Sequence, residues 1–235
     1  MKFESSKDYK EFIDYLFSIQ DTKYKAFHEK LLKDDTQKVI GIQLPKLRSI
    51  AKEIVGEYKG FIKYNNHEYV EETMLHGLII SYLNRPIEEI FDLLDEFLPD
   101  NNNWAINDSV SSTLKIFTKN LNKGYYQVLK YLKSSNPWTV RFGLTLLLDY
   151  YITDIYIDRV VLAIKSIKLE NYYVRMANAW LISSCYIKYP NKIIDLYKEN
   201  VLDSWTTNKS ISKIRDSYRV VQKDKDNLLQ YKKEV

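Results

Sequence analysis

Apolar positions recur at spacings of three and four along almost the whole chain, the period of helices with one buried face. Followed from the N-terminus, the pattern predicts helices at about 6–19, 22–33, 44–57, 67–84, 86–98, 103–121, 124–134, 137–152, 155–168, 172–189, 190–199 and 206–220. Pro45, Pro86 and Pro137 fall where a first helical turn tolerates a missing N–H, while Gly124 and the run Asn101–Asn103 mark connections. No linker-like stretch interrupts the pattern, so residues 1–235 read as a single domain of the all-α class.

The long helical segments also resemble one another. MLHGLIISYL from Met74, VRFGLTLLLDYY from Val140 and VRMANAWLISSCY from Val174 each carry a polar or basic residue, then a small residue, then an apolar run. Gly143 and Ala177 are 34 residues apart (177 − 143), Gly77 precedes Gly143 by 66 (143 − 77), and Val110 falls midway. A period of this length predicts helix pairs stacked as a solenoid, each pair burying its apolar face against its neighbours.

Composition supports this picture and narrows the function. With 45% hydrophobic residues in 235, the chain can bury a sizeable core, and only 6 glycines and 5 prolines interrupt helix-forming residues. A net charge of +4 and a pI near 8.8 permit a polyanionic partner, but only the placement of 35 basic and 31 acidic groups can decide it. The lone cysteine, Cys185, excludes an internal disulfide and reads as a small buried hydrophobe. The charged N-terminus lacks the apolar run of a secretory signal and no stretch has membrane-spanning length, so a cytoplasmic protein without a membrane partner is expected. His28, His67 and His76 show no ligand spacing, and no metal site is expected.

The segment NNNWAINDSV carries the most chemistry. Trp104 and Asp108 are four residues apart and share a helical face, on which Ser111, Lys115 and Lys119 would follow. The opposite stripe, Ile106, Val110, Leu114, Phe117 and Leu121, would enter the core. An acid and an indole with lysines beside them suit chemistry on a cationic aromatic ligand held near phosphates. Asp108, Arg141 and Arg175 stand one repeat apart, at intervals of 33 (141 − 108) and 34 (175 − 141), which would set them side by side. Arg141 lies in an otherwise apolar helix, so it either faces a groove or pairs with a carboxylate such as Asp108. In NKSISKIRDSYRVVQKDK, Ile211, Ile214 and Tyr218 form one face, and Lys209, Lys213, Arg215 and Arg219 surround it. That is either a phosphate-binding surface or an ordinary solvated one. Trp138 reads as core and Trp205 as an anchor for the last helices.

Together NWAIND (Trp104, Asp108), WTVRF (Arg141) and NYYVRMANAW (Trp180) are similar to the AlkD-like DNA alkylation repair proteins, DNA glycosylases built from HEAT-like repeats. GIQLPKLRSIAKE from Gly41 and NKSISKIRDSYR also look like segments of that family, so the resemblance covers nearly the whole chain. It implies a right-handed curved solenoid of antiparallel helix pairs, an α-α superhelix. It further implies a monomeric, monofunctional, cofactor-free hydrolase that cleaves the N-glycosidic bond of N3-methyladenine and N7-methylguanine in duplex DNA without swallowing the base in a deep pocket. In that scheme Asp108 stabilises the oxocarbenium ion and positions water, and Trp104 and Trp180 face the lesion. Arg141 holds a nearby phosphate, while Tyr172 and Tyr173 extend the aromatic wall. Two other readings are a HEAT-repeat protein that binds branched or distorted DNA without glycosylase activity, and a protein–protein scaffold; retention of Asp108 favours catalysis.

Overall fold

The computed structural model describes residues 1–32 and 37–234, and backbone contacts divide the chain into two compact units, Met1–Lys119 and Asn120–Val235. Among the described residues all regular structure is helical apart from one isolated bridge between Lys38 and Tyr69. The all-α expectation holds. Lys33, the last residue of the expected second helix, lies outside the described residues.

The first unit contains α1 (Ser6–Ser18), α2 (Thr22–Leu31), α3 (Leu44–Ile54), α4 (Tyr58–Tyr64), α5 (Val70–Tyr82), α6 (Ile87–Phe97), α7 (Trp104–Ser111) and α8 (Ile116–Lys119). A 3-10 turn at Val55–Glu57 joins α3 to α4, and another at Leu98–Asp100 follows α6. At the centre runs α5, buried on every side from Val70 to Ile80 and packed by α3, α4, α6 and α7. Peripheral helices bury one stripe, as α6 does through Ile87, Ile90, Leu94 and Phe97. Gly77 explains the small residue in the repeat pattern: a Cβ there would stand 2.4 Å from Val110 Cγ2 and 2.9 Å from Phe97 Cζ. Only a glycine lets α5 approach α6 and α7 so closely.

The second unit contains α9 (Leu121–Leu132), α10 (Pro137–Tyr150), α11 (Ile157–Ser166), α12 (Tyr172–Lys188), α13 (Pro190–Lys198), α14 (Ser204–Asp216) and α15 (Gln222–Asn227), with a closing 3-10 turn at Leu228–Tyr231. Here α12 is central, packed by α10, α11, α13 and α14. Gly143 repeats the logic of Gly77, since a Cβ would meet Leu132 Cδ2 at 2.9 Å. Cys185 is fully buried, and burial pushes its thiol up to about 12, as an inert packing residue requires. No helix among the described residues is long and apolar enough to cross a membrane.

Several expected boundaries change. The helix expected over 103–121 stops at Ser111 and resumes only briefly as α8. Ser112 Oγ bonds back to the Asp108 carbonyl at 2.8 Å and Thr113 Oγ1 to the Ser109 carbonyl at 2.7 Å, so consecutive hydroxyls compete for the carbonyls of the last turn. The helix expected over 67–84 begins at Val70; His67 precedes it with a left-handed φ of 53°. At the far end α14 stops at Asp216, leaving Tyr218 and Arg219 outside the helix.

Candidate functional site

In the first unit, α7 carries Trp104 in its first turn and Asp108 in its second. Asn103 caps the helix, its side chain accepting from the Ile106 amide at 3.0 Å. Both side chains are half-buried and line one pocket with Tyr24, Phe27 and Leu31 of α2 and Met74 of α5. Asn107 Nδ2 donates to Asp108 Oδ1 at 3.0 Å, orienting that carboxylate from the adjacent position. The pocket's second acid, Glu71, is buried and committed elsewhere: it accepts from the backbone amides of Ile40, Gly41 and Ile42 at 2.9, 2.7 and 3.2 Å. Those bonds pin the segment that enters α3.

The expected polar face is shorter than the sequence suggests. Ser111 is fully buried, and Lys115, although exposed, follows the break in the helix instead of continuing the Trp104–Asp108 stripe. The opposite stripe is as expected at Ile106, Val110, Leu114 and Phe117, all fully buried.

The second unit gathers most of the other candidates. Arg141 on α10 is 5% exposed, and its Nη1 donates to the Tyr173 carbonyl at 2.8 Å. Tyr173 stacks on Trp138 with ring centroids 4.6 Å apart, Tyr172 meets Tyr173 edge-on at 5.2 Å, and Trp205 contacts Tyr172 at 5.8 Å. The first turns of α10, α12 and α14 are thus held side by side by a row of aromatic rings. Trp138 is half-buried in this row, not a core residue as expected, because its partner Tyr173 is itself only half-buried.

Arg175 adds its guanidinium over the Trp205 ring at 5.2 Å, and its buried Nε has no partner among the described residues. Trp205, Lys209 and Lys213 follow at intervals of four on α14 and form one stripe. Burial pulls the Lys213 ammonium below the ordinary lysine range, and the charges of Lys209 and Arg141 act in the same direction against Asp216. Trp180, also on α12, is 37% exposed. Arg215 stands off the Lys209–Lys213 stripe, and Arg219 is exposed beyond the helix with its guanidinium 5.7 Å from the Tyr218 ring. Tyr218, expected beside Ile211 and Ile214, is 88% exposed because the helix has already ended.

One signal for this register was present in the sequence and overlooked. Asn103, Asn136, Asn171 and Asp203 cap α7, α10, α12 and α14 with their side chains, at intervals of 33 (136 − 103), 35 (171 − 136) and 32 (203 − 171). An aromatic residue follows each cap within two positions, which places Trp205 in the repeat. A second cluster went unforeseen: His67, His76 and Asp100 come together in the first unit although 9 and 24 residues separate them in sequence (76 − 67 and 100 − 76).

Charge is divided as unevenly as the residues. Residues 1–119 hold 16 lysines and arginines against 20 aspartates and glutamates, a net of −4, whereas 120–235 hold 19 against 11, a net of +8. Comparison with curated proteins finds none that matches. The family described as DNA alkylation repair enzyme matches residues 13–214, a stretch that includes Trp104, Asp108, Arg141, Trp180 and the α14 lysines. With 202 of its 235 residues inside that match (214 − 13 + 1), the chain belongs to the DNA alkylation repair enzyme family and is a DNA repair enzyme whose substrate is DNA.

Proposed function

We propose that this protein is a monofunctional glycosylase that hydrolyses the N-glycosidic bond of cationic alkylated purines, N3-methyladenine and N7-methylguanine, in duplex DNA. The observation that carries the reading is the pairing of Trp104 with Asp108, an indole and a carboxylate on successive turns of α7 at one pocket. Alkylation leaves the purine positively charged, so it departs as a neutral base with the electrons of the broken C1′–N bond. Positive charge then develops on the deoxyribose. The Asp108 side chain stabilises that charge more than it stabilises the ground state and orients the water that bonds to C1′; the water's proton passes to solvent.

Trp104 and Trp180 supply electron-rich ring faces for the cationic nucleoside, each contact worth about 0.5–2 kcal/mol. Arg141, whose Nη1 donates to the Tyr173 carbonyl, is the guanidinium that this reading assigns to a backbone phosphate. Lys209 and Lys213, with Tyr172, Tyr173 and Arg175, extend that phosphate-binding surface, and Lys115, Arg215 and Arg219 contribute outlying charge. In this reading residues 1–235 act as one domain, as a monomer, without a cofactor.

Release of N7-methylguanine from alkylated duplex DNA tests the proposal. The unmodified protein should release the base. Asp108→Asn should lose at least about 100-fold in rate while still binding the duplex, the scale of removing one electrostatic stabiliser. Arg141→Ala should weaken both binding and release. Equal rates for Asp108→Asn and the parent protein would remove the acid from the mechanism, and absence of release by the parent would leave a DNA-binding role only.

A further inference from the structure

The first unit holds a set of side chains that the repair chemistry does not use. One ring nitrogen each of His67 and His76 and one carboxylate oxygen of Asp100 all lie within 4.8 Å of one another. His67 Nε2 is 3.3 Å from Asp100 Oδ2, and the two imidazole centroids are 5.4 Å apart. His76 is 4% exposed, and its Nδ1 is buried without a hydrogen-bond partner among the described residues. A buried imidazole nitrogen left unsatisfied forfeits its hydration with nothing in return. His67 also keeps a left-handed φ of 53°, which a non-glycine residue holds only when its surroundings demand it. Two local costs thus meet at one point.

We propose that His67, His76 and Asp100 form a binding site for one divalent cation of the zinc class. Two imidazoles and one carboxylate suit a borderline first-row ion and not calcium or magnesium, which prefer oxygen. A tetrahedral zinc with bonds of about 2.0–2.1 Å sets its ligand atoms about 3.4 Å apart. The His67–Asp100 edge already has that length, and with all three donor atoms within 4.8 Å of one another only small side-chain adjustments are needed to bring His76 to it. Asp100 is the most solvent-exposed of the three, its side chain at 42% against 21% for His67, so a water would complete the set from its side.

The surroundings orient the donors as metal sites require. His67 Nδ1 lies 3.1 Å from Thr73 Oγ1, so a proton kept on Nδ1 leaves the Nε2 lone pair directed at Asp100 and the ion. Gln37 Nε2 donates to Thr73 Oγ1 at 2.7 Å and to the His67 carbonyl at 2.8 Å, and the His67 amide donates to Asn65 Oδ1 at 2.9 Å. The bound ion would tie α5 to the turn that launches α7. From that turn Asn101 Nδ2 donates to Asn107 Oδ1 at 2.9 Å, and Asn107 in turn contacts the Asp108 carboxylate. Occupancy would therefore steady the acid's support without touching it.

The test titrates the chelator-stripped protein, residues 1–235, with Zn²⁺ against a chromophoric competitor, and with Co²⁺ while recording its visible d–d bands. The expected result is one equivalent bound, a raised thermal midpoint, and a Co²⁺ spectrum of a low-coordinate nitrogen–oxygen site. Asp100→Asn and His67→Gly, at partly exposed positions, should keep the helical circular dichroism yet weaken binding at least 10-fold; His76→Ala should abolish it. His28→Gln and Cys185→Ala should bind as the parent does. No saturable equivalent, or affinity unchanged in Asp100→Asn and His67→Gly, overturns the proposal.

Discussion

Asp108 and Trp104 were legible because a spacing of four needs only one helical turn to become a shared face, and the turn formed. Ser111, one turn further, was misread: its position lies over the core as the helix ends, which periodicity alone does not register. The His67–His76–Asp100 cluster left no linear trace, since it depends on the left-handed residue before α5 and on the turn after α6. His76 gives a prediction at this scale. The unfolded chain takes a proton on this imidazole near 6.5, whereas the folded chain, through burial and the neighbouring His67, resists it until about 3. Between those values the unfolded state binds more protons, so stability must fall as pH drops from about 6.5 toward about 3. Urea midpoints of metal-free protein should decline across that window, and His76→Phe should flatten the slope. Equal slopes in the two proteins would reject the assignment.

Among elements, long helices with a clear apolar stripe were readable and short ones were not. Only Phe61 is buried in α4 and nothing in α15, so neither leaves a repeating pattern to find. The break after Ser111 was invisible to hydrophobic spacing because side-chain hydroxyls cause it. On α14 the stripe of Trp205, Lys209 and Lys213 was obscured by Arg215 and Arg219, which made the whole segment look basic. If this stripe meets DNA phosphates, Lys209→Ala and Lys213→Ala should each lower the slope of log affinity against log salt by about 0.9, and the double variant by about twice that. Duplex binding measured over a salt series checks it. Lys223→Ala, on exposed α15, should change the slope little; an equal effect there would argue for diffuse attraction instead.

For the whole molecule, a net charge of +4 is a poor guide, because −4 in one stretch of sequence hides +8 in the other. The all-helical class and the family were readable because repeated motifs survive in order, while the two compact units were not: no glycine- or proline-rich stretch marks Lys119 from Asn120. Each unit is built around a central helix, α5 or α12. Gly77→Ala should therefore cost about 1–3 kcal/mol by overpacking against Val110, and amide exchange should quicken chiefly within Met1–Lys119. Acceleration spread evenly over both units would show that they open together. The row of rings running from Trp138 through Tyr173 and Tyr172 to Trp205 has an electrostatic corollary. Three helices begin side by side there, and each lends the partial positive end of its peptide dipoles to that one edge. If that edge meets DNA, part of the pull on the polyanion is written in the main chain, where neither lysine acetylation nor replacement of one side chain can erase it.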